Sequence, residues 1–129
     1  VIDLDTVMPG LSAHDFGDTV RFGANDCRED EEDQSKVHFL PQLYRVCERG
    51  FLSQAGEVLT AREKEVLRWG AKLMTLECGV RFLTDYLQGD VYFKIARPNQ
   101  NLDRARTQFT LVQQMEACWD ELAPEESKL

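Results

Sequence analysis

A chain of 129 residues with 43% hydrophobic side chains is long enough for one small domain with a modest core, and too apolar to stay disordered. Its formal net charge of −8 argues against nonspecific binding to nucleic acid or to an anionic membrane. No apolar run approaches the ~20 residues of a membrane span, and the scattered cysteines, Cys27, Cys47, Cys78 and Cys118, read as reduced thiols of a cytoplasmic protein with no zinc site.

In chain order, Val1 to Leu4 reads as the end of a short strand, Met8 to Gly10 as a turn, and Phe16 to Phe22 as a short helix. The run Arg28 to Asp33 is charged throughout and predicts a solvated loop or helix start. Leu40, Leu43, Tyr44, Cys47 and Phe51 then recur at helical spacing, with Pro41 tolerable only in the first turn and Gly50 close to the helix end. Thr60-Ala-Arg-Glu63 carries the capping-box pattern. The helix it opens runs through Val66, Leu67, Trp69, Leu73, Leu76, Val80, Leu83 and Leu87, and its internal Gly70 and Gly79 point to close helix packing. Gly89-Asp90 ends that helix, and Val91 to Ile95 is a β-prone run. A turn at Pro98 to Asn101 leads into a last helix with Asp103 in its first turn and Ala105, Phe109, Val112, Met115, Cys118 and Trp119 along it. The tail from Pro124 is expected to fray. The pattern predicts one mainly α domain over 1–129, with one or two short strands at its N-terminal edge. Residues 1–35 hold a strand, a turn and an acidic loop, and residues 36–123 form a helical lobe.

The chemistry-bearing residues gather at the front. Asp3 and Asp5 end an apolar strand, Pro9-Gly10 turns the chain, and Asp15 and Asp18 surround Phe16-Gly17. Carboxylates at a strand end beside a tight turn suit a magnesium ion held against phosphate oxygens. A D-x-D pair also arises where aspartates merely form a turn. The cluster begins at residue 1, so the remainder of such a site is expected on chain preceding it.

The string Ile2-Asp-Leu-Asp-Thr6, then Pro9-Gly10, then Asp15-Phe-Gly-Asp18, resembles the aminoglycoside phosphotransferase-like kinases of the protein-kinase-like superfamily. Downstream, Arg81-Phe-Leu-Thr-Asp-Tyr-Leu87, Gly89-Asp-Val-Tyr-Phe-Lys94 and Asn101-Leu-Asp-Arg-Ala-Arg-Thr-Gln108 look like the C-terminal part of N-acetylhexosamine 1-kinases. The resemblance covers Val1 to about Trp119. It implies the helical C-terminal lobe of a kinase that uses ATP and Mg2+ to phosphorylate the anomeric hydroxyl of an amino sugar. Under it Asp3 is the metal ligand, Asp5 assists the metal, Asp15 supports the catalytic loop, and Arg81 and Tyr92 contact the sugar. Trp119 is a further candidate to stack on the sugar.

The same residues have plainer readings. Arg81 is spaced for a helix-surface salt bridge with Glu77 or Asp85, and Tyr92 and Trp119 could be core. The Gly-rich loop, the early-strand lysine and the catalytic loop of such a kinase do not occur in these residues. The catalytic base is therefore expected upstream of Val1, the chain alone is expected to be inactive, and apolar surface left uncovered is expected to favour self-association. Relatives often carry a His before Asn-Leu-Asp. Ala96 to Asn101 has none, which leaves the acceptor sugar open. The competing reading is a non-catalytic helical binding domain, or a degenerate kinase remnant.

Overall fold

Helix α1, Ser12–Gly23, buries Ala13, Phe16, Gly17 and Val20 on one face, the spacing that one side of a helix demands. These coordinates are a computed structural model that describes residues 4–124. A one-turn 3-10 segment, Gln34–Lys36, precedes helix α2, Pro41–Ala55, in which Pro41 occupies the first turn, where its missing N–H costs nothing. Helix α3, Ala61–Leu87, is the longest element, and helix α4 spans Gln100–Ala117. Among the described residues the molecule is mainly α, and the one β pairing is an isolated antiparallel bridge between Asn25 and Phe39. No helix of the described residues is long and apolar enough to cross a membrane.

The long helix is the spine. α1 and α4 both pack on α3, and α2 packs on α1. The α1–α3 crossing is set by glycine: a Cβ at Gly17 would run into the Gly70 carbonyl, and a Cβ at Gly70 into the Ala13 carbonyl. On the α4 side, a Cβ at Gly79 would lie 2.7 Å from the Phe109 ring. Phe16 is fully buried at the centre, with its ring 5.6 Å from that of Tyr44 and 5.4 Å from that of Phe51. Val20, Val37, Leu67, Leu111, Met115 and Leu122 close the core around it.

Side chains of α4 stitch the preceding loop in place. Gln114 accepts from the Phe39 N–H at 2.6 Å and donates to the Val37 carbonyl at 2.7 Å. The end of the described chain is held by Arg45, which donates to the Ala123 carbonyl at 2.6 Å, to the Glu121 carbonyl and to the Glu48 carboxylate.

Thr60 caps α3 as its sequence pattern predicts: the Glu63 N–H donates to its hydroxyl at 3.2 Å, and Glu63 accepts from the Thr60 N–H at 2.8 Å. Elsewhere the fold departs from the sequence pattern. α2 continues past Gly50 to Ala55, because Phe51 and Leu52 pack against the core while Gly50 faces open space. The charged run 28–33 is a docked loop. Arg97 donates to the Asp30 carbonyl at 2.9 Å and to Asp103 at 2.6 Å, and Gln100 donates to Asp30 at 3.0 Å. Val91 to Ile95 is no strand, since its first N–H groups are taken by a side chain and not by a neighbouring strand. The strand expected at the N-terminal edge falls on residues 1–3, outside the described residues, and Leu4 is not part of one.

A candidate ligand cleft between α1, α3 and the loop before α4

A cavity of about 610 Å³ lies where α1, α3, the 88–99 loop and the start of α4 meet. That size suits a small polar ligand. Asp15 and Asp18 enter it from α1, Glu77 and Arg81 from α3, and Lys94 and Arg104 from the far wall. A smaller cavity of about 300 Å³ adjoins it, with Arg81 and Phe93 common to both and Tyr92 lining the smaller one alone.

Arg81 is the hinge of the arrangement. Its guanidinium lies 5.7 Å from the centre of the Tyr92 ring and 5.5 Å from that of Phe93, within cation–π range. Its bond to Glu77 is long, with Nε to Oε1 at 3.8 Å, and its side chain is half exposed, so such a pair adds little stability and leaves donors free. Tyr92 is 73% exposed, which sets aside the core reading for it. The predicted alternative pairing of Arg81 with Asp85 is not made, because Asp85 turns inward.

Asp85 is the residue that sequence reasoning missed. It is 3% exposed, and its Oδ1 accepts the N–H groups of Val91 at 3.0 Å and Tyr92 at 2.7 Å. Its Oδ2 accepts the Phe93 N–H at 2.9 Å and Asn101 Nδ2 at 2.9 Å. Burial alone would raise its pKa. The N–H donors of Phe93, Tyr92 and Val91 outweigh that effect and hold the carboxyl below its ordinary value. Gly89 and Asp90 both have positive φ, 92° and 58°, and this turn aims the following N–H groups at the carboxylate. A signal was present in the sequence: an acid in the last turn of a helix opposes the macrodipole, and so asks for a compensating donor set.

The inner wall is neutralised pair by pair. Arg21 donates from Nε to Asp18 at 2.9 Å and from Nη1 to Glu29 at 3.3 Å. Burial would lower its pKa, but the Asp18 hydrogen bond and the neighbouring acids raise it, so it stays a cation. Arg104 donates to Asn101 Oδ1 at 2.8 Å and to the Lys94 carbonyl at 3.2 Å, and its guanidinium lies 5.5 Å from the Phe82 ring centre. Burial pushes the Cys78 thiol up, so the one thiol in the cleft is protonated at neutral pH and is a poor nucleophile. The cleft thus offers forked donors, carboxylate acceptors and an aromatic rim, a set that recognises hydroxyl and amide groups.

No family model matches the chain.

The predicted site residues fall in four places. Arg81 and Tyr92 meet, and Asp15 lines the same cleft as Arg81, exposed, with its backbone carbonyl accepting from the Thr19 hydroxyl. Asp5 is exposed in a turn closed by the Val7 N–H to the Leu4 carbonyl and is not among the residues lining the cleft. Asp3 lies outside the described residues. Trp119 is not in the cleft. Its ring centre is 4.7 Å from that of Trp69, the Arg68 guanidinium lies 4.8 Å from it, and it packs against the core cluster. Among the described residues no group of three or more His, Cys, Asp or Glu is placed to hold a metal ion, and Asp3, the predicted ligand, lies outside them.

Proposed function

We propose that this chain is the substrate-holding helical lobe of a cytoplasmic, ATP-dependent kinase that phosphorylates the anomeric hydroxyl of an N-acetylhexosamine. The observation that carries this reading is the meeting of Arg81 and Tyr92 at the mouth of a polar cleft. These are the two residues that the resemblance assigns to the sugar, and they reach each other from different elements. The Arg81 fork offers paired donors to ring hydroxyls or an acetamide oxygen, the exposed Tyr92 ring offers an apolar face to the sugar, and Asp18 accepts from hydroxyls, while Asp15 keeps the catalytic-loop support that the resemblance assigns to it.

In this reading the nucleotide, the base that takes the proton from the anomeric hydroxyl, and most of the phosphate contacts belong to chain outside these 129 residues. Asp3, with help from Asp5, would hold magnesium, which when bound would neutralise charge on the ATP phosphates. The contribution of the described residues is to fix the sugar so that its hydroxyl is presented in line.

Titrating the isotope-labelled chain with N-acetylglucosamine and with N-acetylgalactosamine, followed by NMR, tests the reading. Chemical-shift changes should centre on Arg81, Tyr92 and the cleft. Arg81→Ala and Tyr92→Ala should each weaken binding about tenfold, a loss of ~1.4 kcal/mol, with unchanged helix content. Trp119→Ala should bind like the parent. A folded chain that ignores both sugars sinks the proposal. Sugar binding at the cleft without phosphoryl transfer by any longer form supplied with ATP and magnesium would favour a non-catalytic binding module.

A further inference from the structure

We infer that Asp85 is a positioning residue, whose buried carboxylate sets the 88–93 loop so that Tyr92 stands against Arg81. The inference rests on the sugar-lobe reading for its purpose, and on geometry alone for its mechanism. Val91, Tyr92 and Phe93 form no strand and no helix, and Val91 and Tyr92 are both largely exposed, so regular structure does not hold them. What holds them is one side chain. A carboxylate has about four acceptor sites, and Asp85 fills that capacity with the N–H groups of Val91, Tyr92 and Phe93 and with Asn101 Nδ2. Its acceptor capacity is spent on the loop and on α4, so its action on a ligand runs through Tyr92 and Arg81.

The arrangement is braced from α4. Asn101 is fully buried and also donates to Asp90 Oδ1 at 2.9 Å, while Arg104 donates to Asn101 Oδ1. Asp85, Asp90, Asn101 and Arg104 thus form one chain of hydrogen bonds from the end of α3 to the first turn of α4, with the loop closed between them. The competing account is that ring packing alone places the loop, because Phe93 lies 4.7 Å from Phe82, centre to centre. Ring packing reaches Tyr92 as well, whose ring centre is 4.8 Å from that of Phe93, yet it leaves the backbone path of the loop unspecified. The paired N–H bonds to Oδ1 specify it.

The test uses the 129-residue chain and two variants, Asp85→Asn and Asp85→Ser. The first keeps the shape but turns an amide donor toward other donors. The second removes the carboxylate without adding an amide. Helix content and thermal midpoint are read first, then the NOE contacts between the Arg81 side chain and the Tyr92 ring, then affinity for N-acetylglucosamine.

The expected result is a folded variant that loses the Arg81–Tyr92 contacts and the distinct amide shifts of residues 91–93, and binds sugar at least about tenfold more weakly. A folded variant that keeps those contacts overturns the inference. So does failure of both variants to fold, since the carboxylate would then serve the whole domain and not the loop. If the parent chain binds no sugar while the variants still lose the Arg81–Tyr92 contacts, the sugar reading fails and the positioning role stands.

Discussion

Asp85 also determines how the molecule should respond to acid. Its folded-state pKa is held below the ordinary aspartate value despite burial, because the loop N–H groups stabilise the charged form. A depressed carboxylate stabilises the fold fully above its unfolded-state pKa, near pH 4, and the contribution is lost as pH falls through the lower folded-state value. Glu63, lowered by the Thr60 N–H it accepts, and Asp33, lowered by Ser35, act in the same direction. Stability to urea of the parent chain should therefore weaken steadily as pH falls below about 4. Asp85→Asn should start lower and fall less steeply over that window, since one of the linked protons is gone. Parallel curves for the two proteins would show that Asp85 does not carry a shifted pKa.

At the scale of helices, the α1–α3 crossing decides the architecture, and its test turns on which of two effects is larger. In an exposed helix, Gly70→Ala would gain about 1 kcal/mol of helix propensity. Here the new Cβ would strike the Ala13 carbonyl of α1, backbone that cannot rotate aside. Overpacking of this kind costs about 1–3 kcal/mol, so Gly70→Ala should lower the unfolding free energy by up to about 2 kcal/mol net, measured by urea titration at neutral pH. Gly50→Ala is the control: nothing lies within 4 Å of its Cβ position, so it should stabilise. Gly70 and Gly79 were legible in the sequence as packing points, and so were the Thr60 cap and the helical periodicities, because each shows in a local pattern, whereas Gly50 was read as lying near a helix end that comes only at Ala55. The 88–93 loop was not legible. Its aromatic and β-branched composition favours a strand, and what overrides that preference is a carboxylate on the preceding helix and an amide on the next one. The docked acidic loop was hidden for the same reason, since Arg97 and Gln100 are remote in sequence from Asp30.

For the molecule as a whole, the candidate site was half legible. The family resemblance raised Arg81 and Tyr92 but could not show that they meet, and helical spacing could not set Trp119 aside until Trp69 was found beside it. The apolar series of α3 likewise splits in a way that periodicity alone does not announce. Small residues, Gly70, Ala71 and Gly79, take the inner face because α1 and α4 come so close. The large residues Trp69, Leu73, Leu76, Val80 and Leu87 are left outside, from 39% to 74% exposed. They fall on the alternating three- and four-residue steps of a coiled-coil seam, with half-buried Leu83 completing the series. An apolar stripe this long on a folded surface calls for a partner, and in a solution of the chain alone the matching surface is a second copy. Sedimentation should therefore show association that grows with concentration, and a specific pair would need to bury about 1,000 Å² or more in total. With a net charge of −8 on each copy, added salt should strengthen the association by screening, which is the opposite of what an ion-paired interface would do. Leu76→Glu should return the chain to a monomer with its stability changed by no more than about 0.5 kcal/mol, because the residue lies outside the core. A parent chain that stays monomeric at every concentration and salt level would mean that the stripe is not self-complementary.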